Sequence, residues 1–307
     1  MDMREKRNEI EMNKIKEILD EYSGTTQITR HLLYMREKIA GVEHLSPIST
    51  GFGDLDYFLN GGLYPEQLVA VGAMPSVGKT SFVVSLIRNM LERNKNILFF
   101  SLDMFSRDII RRLLAGTSGI SLREIIECDL STDAFKYVIS AAQQLGDRTF
   151  FIVDTPGLSI EKLEKIVWAA VSTEQIDCIL IDSFNLIECC ANSETDRYKR
   201  IANVLRGLRG SNAPIVTTFQ CPYDKSQREP SLADVPHDIY PLVNESDVVF
   251  FLHRTRFVTD LDQYSNDDDI VKATQPVKII VEKNRNGDTG VINIHFNGFT
   301  TSFEGLP

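Results

Sequence analysis

Apolar residues along this chain fall into two rhythms. From Ile48 onward, short and nearly continuous apolar runs alternate with stretches whose apolar residues recur every three or four positions. The first rhythm predicts strands buried on both faces, and the second amphipathic helices. Strands are expected at 67–72, 96–101, 149–153, 177–182, 214–219, 247–252, 277–283 and 290–296. Helices are expected near 53–60, 79–93, 106–115, 121–127, 131–145, 159–173 and 195–211. This alternation implies an α/β fold, a mostly parallel twisted sheet flanked by helices on both faces. Pro214 opens a strand, the position where its missing N–H costs least. The last two strands are joined through Asn284-Arg-Asn-Gly-Asp288, whose Asn-Gly pair signals a hairpin. Residues 259–276 carry Asp267-Asp-Asp269 without periodicity and read as a solvated, mobile loop.

Residues 1–46 read differently, as a helical extension ahead of a domain spanning 47–307. Ile15, Ile18, Leu19 and Tyr22, then Ile28, Leu32, Met35 and Ile39, mark two short amphipathic helices separated at Ser23-Gly24. Their apolar faces are too small for a core of their own, so they should dock onto their own domain or a neighbouring subunit.

Composition narrows this picture. The 307 residues are 43% hydrophobic and 25% charged, enough for a substantial core. A formal charge of −10 excludes a surface that is basic all over; a polyanion would have to meet a local basic strip. Five cysteines without C-x-x-C spacing predict a reduced, cytoplasmic setting, with Cys178 a small core residue. No apolar run approaches the ~18 residues needed to span a bilayer, so no membrane association is expected.

Candidate chemistry centres on Ala73-Met-Pro75-Ser76-Val77-Gly78-Lys79-Thr80, followed by Ser81 and an apolar helix. Strand, tight loop and helix in that order are the context of a phosphate-binding P-loop, with Ala73 at the first loop position where Gly is usual. Backbone N–H groups and the helix N-terminus would form an anion nest. Lys79 would reach the β- and γ-phosphates, and the Thr80 hydroxyl would ligate Mg²⁺. The strand at 177–182 ends in Asp182, placed to hold Mg²⁺ through its water shell. A second strand leads to Asp103, which could orient the attacking water if the sheet sets it beside the P-loop strand, or merely cap the helix starting near Ser106. A third ends in Gln220, either a γ-phosphate sensor or a plain surface amide. Lys283 and Arg285, two apart at a strand end, project the same way and suit either a polyphosphate or a solvated tip.

Together these segments resemble the helicase domain of the DnaB family, ring-forming replicative helicases with a RecA-like core. The resemblance rests on Ser49-Thr-Gly-Phe-Gly-Asp-Leu-Asp56 with Gly61-Gly-Leu63, the Ala73–Thr80 loop, Ser101-Leu-Asp-Met104 and Asp154-Thr-Pro156. It continues through Ile179–Asp182, Gln220, Asp247-Val-Val-Phe-Phe-Leu252 and Lys283-Asn-Arg-Asn-Gly287, covering residues 47 to 304. It implies a RecA-like P-loop NTPase using ATP and Mg²⁺, a homo-oligomer, expected to be a hexamer, with nucleotide between subunits, and single-stranded DNA in the ring. Lys283 and Arg285 would reach into the neighbour's site as a finger pair, and the helix within 25–40 would pack on the adjacent subunit. Lys225 and Arg228 are the DNA-binding candidates, and a helicase loader or other replication proteins the further partners.

Departures from the family are also legible. Asp103 stands where the family has Glu. Ser183-Phe-Asn185-Leu replaces Tyr-Leu-Gln-Leu, and Val235-Pro-His-Asp-Ile239 replaces an Arg-Glu-Ser-Gly-like stretch. The segment 221–230 is short and mixed in charge, and 46 residues cannot hold the family's primase-binding domain. Two functions follow as expectations: an ATP-driven DNA motor, or a hydrolysis-impaired nucleotide binder that regulates or caps a replicative helicase.

Overall fold

Every apolar run named above forms a strand, and every helical stretch from residue 53 on forms a helix. The computed structural model describes residues 46–146, 149–222, 228–254 and 274–305. The chain divides into two units, Met1–Ser46 and Pro47–Pro307. The two expected N-terminal helices, the Asp267-Asp-Asp269 stretch and Lys225 lie outside the described residues.

The strands are β1 (Leu68–Ala73), β2 (Ile97–Ser101), β3 (Phe150–Val153), β4 (Cys178–Asp182), β5 (Ile215–Gln220), β6 (Val248–His253), β7 (Thr274–Asn284), β8 (Gly290–Asn297) and β9 (Ser302–Gly305). The helices are α1 (Gly53–Phe58), α2 (Lys79–Glu92), α3 (Ser106–Ser118), α4 (Leu122–Glu127), α5 (Thr132–Gly146), α6 (Ile160–Thr173), α7 (Glu194–Gly207) and α8 (Tyr240–Glu245). One sheet runs β3-β2-β4-β5-β1-β6-β7-β8-β9. From β3 to β6 the pairs are parallel; from β6 to β9 they are antiparallel. The central strands β1, β2 and β4 are buried at every position, which is why their sequences carry no polar alternation. Separate apolar layers cover the two faces, one built on α2 and the other on α6 and α7.

Two elements escaped the pattern, and one expectation is corrected. Strand β9 is only four residues long, and α8 is a six-residue helix with Pro241 in its first turn. The loop expected over 259–276 ends earlier: Thr274, Gln275 and Pro276 belong to β7 and pair with Asn297, Phe296 and His295. Among the described residues, β6 ends its pairing at Lys278, so no ladder partner there asks for the missing N–H of Pro276.

Strand β9 supports α2. Phe303 packs edge-on against the fully buried Phe82, with ring centroids 5.6 Å apart. Phe52 and Phe250 close the cluster at 5.4 and 5.8 Å. Burying one such ring contributes roughly 1.5–3 kcal/mol, so the cluster fixes the start of α2 firmly. The Phe303 N–H also donates to Ser85 Oγ on α2 at 2.8 Å.

Candidate active site

The carboxyl ends of β1, β2, β4 and β5 open into one cleft of about 710 Å³. A crevice at the strand ends of a parallel sheet is where open α/β folds bind ligands. Lys79, Thr80, Ser81, Asp103, Asp182 and Gln220 all line it, with Pro75, Ser76 and Gly78 of the loop. Val77 does not; its side chain is buried in the core. Ala73 is the last residue of β1, its methyl fully buried.

The loop conformation depends on one glycine above others. Gly78 has φ +110°, and a Cβ there would also stand 3.2 Å from the Phe303 ring. Just before the loop, a Cβ on Gly72 would come within 2.6 Å of both Phe219 and Phe251. Inside β1, then, the neighbouring strands leave no room for a side chain at Gly72, and in the loop the left-handed backbone calls for glycine at Gly78.

Lys79 sits at the first turn of α2, its ammonium 3.5 Å from the carbonyls of Ala73 and Met74. Burial pulls its pKa below the usual lysine value, while the carboxylates of Asp182 and Asp103 pull the other way. The Cys221 thiol is pushed up to about 12 by its own burial and stays protonated. Thr80 Oγ1 donates to Asp182 Oδ2 at 2.5 Å, and Thr218 Oγ1 donates to Oδ1 at 2.5 Å. Burial pushes the Asp182 carboxyl above its ordinary value, opposed by these two hydroxyls and by the charge on Lys79.

Mg²⁺ fits this donor set. A threonine hydroxyl and a carboxylate supply hard oxygens, and a buried acid with a raised pKa gains most from a nearby cation. No group of three or more His, Cys, Asp or Glu able to hold a metal occurs among the described residues. Water and phosphate would therefore complete the shell, the usual habit of Mg²⁺.

A pH signature follows. A carboxyl raised by burial takes up a proton on folding, so its contribution favours the folded state as pH falls and is lost as pH rises through the folded pKa. In magnesium-free buffer, Asp182→Asn should unfold at the same temperature as the parent or higher at pH 7–8, the difference closing as pH falls. Magnesium-dependent turnover should drop at least ~10²-fold, the scale of removing one group that stabilises transition-state charge. Melting curves with steady-state assays check both; a variant less stable at pH 8 than at pH 5, relative to the parent, contradicts the assignment.

Asp103 reaches the cleft by a different route from the one anticipated. Strand β2 is not beside β1, since β4 and β5 lie between them. Its residue Ser101 pairs with Asp182, so the turn after it arrives at the cleft from the Asp182 side. Asp103 is exposed to the cleft, and the N-terminus of α3 is capped by Asp154, which accepts from the Ser106 N–H at 2.8 Å. That bond holds the Asp154 carboxyl below its usual value. Gln220 follows the fully buried run of β5 and pairs with Ala73. Its own N–H is held by Asn185 Oδ1 at 3.1 Å, leaving the exposed side chain to the cleft.

Lys283 and Arg285 are elsewhere. Lys283 is level with Val249, and the Arg285 N–H donates to the Asp247 carbonyl, at the start of β6. This is the opposite end of the sheet, about 17 Å back along β1 from Ala73 at ~3.3 Å per residue. Both side chains reach the Asn244 carbonyl, Lys283 at 3.2 Å and Arg285 at 2.9 Å. Arg285 also pairs with Asp247 at 3.2 Å. The hairpin that bears them is fastened to α1: Asn284 donates to the Phe58 carbonyl at 2.9 Å and Asn60 to the Asn286 carbonyl at 2.6 Å. Of the DNA-binding candidates, Arg228 grips the Asp234 carboxylate, which also accepts from the Ser231 N–H at 2.8 Å.

Three residues of the cleft's surroundings were missed. Arg112 of α3 lines it and donates to Ser81 Oγ at 3.1 Å; burial lowers its pKa. Thr218 holds Asp182, and Arg254 donates to the Ser76 carbonyl at 2.8 Å while lying over the Phe296 ring. Only Thr218 left a trace in the sequence, as a polar residue two before Gln220 on a strand, hence on the same face.

Comparison with known proteins gives the chain its family. The chain is 30% identical over 261 residues to the replicative DNA helicase DnaB of Treponema pallidum (strain Nichols), covering 83% of this chain and 55% of that protein. It is 28% identical over 320 residues to that of Rickettsia prowazekii (strain Madrid E), covering 95% and 65%. The chain thus spans between half and two thirds of these relatives. One solved structure, an isolated ATPase domain, superposes with a TM-score of 0.77 at 22% identity, over 91% of this chain and 99% of that one. A DnaB-like replicative helicase, described with its interactions with primase, gives 0.75 at 20% identity, over 98% and 77%. These solved structures share the fold. Residues 47–305 match the profile of the DnaB-like helicase C-terminal domain, and the chain belongs to that family.

Proposed function

We propose that this domain hydrolyses ATP with Mg²⁺ as part of a ring-shaped homo-oligomer, a hexamer, that moves along single-stranded DNA. The observation that carries the reading is the convergence of Lys79, Thr80, Asp182, Asp103 and Gln220 on one cleft, with two cations held at the far end of the same sheet. In one subunit the Ala73–Thr80 loop would cradle the phosphates and Lys79 would neutralise the β- and γ-oxygens. Thr80 and Asp182 would hold Mg²⁺, which when bound withdraws charge from the transferring phosphate. Asp103 would orient and deprotonate the attacking water, and Gln220 would report the γ-phosphate to the DNA-side loop that follows it. Lys283 and Arg285 lie too far from their own cleft to act there, which supports their acting on the neighbouring subunit's nucleotide.

DNA would be held by backbone contacts from loops near 186–197 and 221–231. Arg228 would serve there by exchanging Asp234 for a phosphate. Relatives that are replicative helicases make loader and replication proteins the further partner class. No helix among the described residues is long and apolar enough to cross a membrane, and cytoplasmic work on DNA is the setting this function requires. Steady-state ATPase with and without single-stranded DNA, beside light scattering with nucleotide, tests the proposal; turnover that ignores DNA at every concentration would overturn it.

The side chain at position 103 sets the rate in this reading. Aspartate withdraws the carboxylate by about one C–C bond, and misplacement of ~1 Å can cost ~10²-fold. Asp103→Glu is expected to raise turnover by up to about 10²-fold with little change in nucleotide affinity. A variant slower than the parent would show that Asp103 is already matched to its water.

A further inference from the structure

We propose that Asp247 is a positioning residue for the Arg285 finger and ties it to the strand that carries the same subunit's phosphate loop. The inference rests on the finger reading above. Asp247 Oδ2 accepts from the Leu68 N–H at 2.9 Å, at the first residue of β1, and from Arg209 Nη2 at 2.6 Å. Its Oδ1 faces Arg285 Nη1 at 3.2 Å. The carboxylate is largely buried, whereas the Arg285 side chain is 47% exposed. One oxygen is thus fixed by the fold, and the other is presented to a cation that remains half in solvent.

Arg209 is not the mobile partner. It also donates to the Glu245 carbonyl at 2.7 Å, and its side chain is largely buried. Among the described residues, the Arg285 side chain is anchored by Asp247 and the Asn244 carbonyl alone, so its guanidinium can exchange these for phosphate oxygens without unfolding anything. One further consequence follows from the register. Leu68 begins the strand whose other end is Ala73, and the same Asp247 carboxylate fixes that beginning. A shift of β1 on nucleotide binding in one cleft therefore moves the anchor of the finger that serves the next cleft. The chain thereby contains a physical link between consecutive sites of a ring, made of one carboxylate and one strand.

The test is turnover by the full chain with single-stranded DNA, in Asp247→Asn, Arg285→Ala and the double variant, with nucleotide Kd measured on each. Asparagine keeps an oxygen for the Leu68 N–H and removes the charge. Asp247→Asn is expected to lower kcat about tenfold with nucleotide Kd unchanged, and the double variant to be no slower than Arg285→Ala alone. Should the asparagine variant not fold, Asp247→Glu keeps the charge, displaces the carboxylate, and carries the same comparison. Parent-like turnover in a folded Asp247 variant would overturn the inference, as would a further loss in the Arg285→Ala background. If Arg285→Ala itself leaves turnover unchanged, the finger reading fails first, and the two failures are distinguishable.

Discussion

Arg285→Ala is expected to reduce DNA-stimulated ATP turnover by about 10³–10⁵-fold, the range an arginine finger supplies in phosphoryl transfer. The same variant should bind nucleotide with parental affinity in its own cleft, because Arg285 is anchored to Asp247 and Asn244 at the far end of the sheet. Its fold should be little changed. The pair with Asp247 involves a half-exposed guanidinium, and such pairs contribute about 0–1 kcal/mol. Mixing experiments sharpen the prediction. A subunit lacking Lys79 keeps its finger, and a subunit lacking Arg285 keeps its cleft. Mixed rings of the two should therefore recover activity at interfaces that combine an intact cleft with an intact finger. Absence of recovery in rings shown to be mixed would mean that the finger acts in its own chain or not at all.

Lys79→Ala should have the second large effect, on binding as well as chemistry. The ammonium is partly buried against the backbone of its own loop, beside Asp182 and Asp103, so removing it takes away the cation that offsets these two carboxylates where the phosphates bind. Loss of charge-assisted hydrogen bonds at about 1.5–3 kcal/mol each weakens ATP by roughly 10–10²-fold. Loss of transition-state stabilisation lowers turnover by about 10²–10³-fold more. Equilibrium binding of a non-hydrolysable analogue, read beside kcat, separates the two contributions. Unaltered affinity would show that the anion nest alone carries the phosphates.

Most of the scaffold of this site could be read from the chain because β1, β2, β4 and all but the last residue of β5 are buried on both faces. Continuous apolar runs such as Val69–Val71 and Ile179–Ile181 have no other economical explanation, and the polar residues that end β4 and β5, Asp182 and Gln220, fall at the carboxyl ends of the strands, where the cleft lies. What could not be read depends on contacts distant in sequence. Strand β9 consists of Ser-Phe-Glu-Gly and shows its purpose only when Phe303 is seen against Phe82 and Gly78. The order of strands, which puts β4 and β5 between Asp103 and the phosphate loop, leaves no mark in local pattern. Arg112 is one of several charges on the amphipathic helix α3, and only its approach to Ser81 sets it apart. The reading of Asp103 as a possible helix cap shows the same limit: the capping group is Asp154, 48 residues beyond the Ser106 it caps. Local rules identify what a residue can do, and tertiary geometry assigns which one does it.

The central claim is that the turn between β1 and α2 holds a nucleoside triphosphate through Lys79, with Mg²⁺ between Thr80 and Asp182. Titration calorimetry with magnesium and a non-hydrolysable ATP analogue tests it most directly. The account predicts saturable heat from the parent chain, weakened strongly in Lys79→Ala and dependent on magnesium. Absence of heat from the folded parent at millimolar analogue would contradict it.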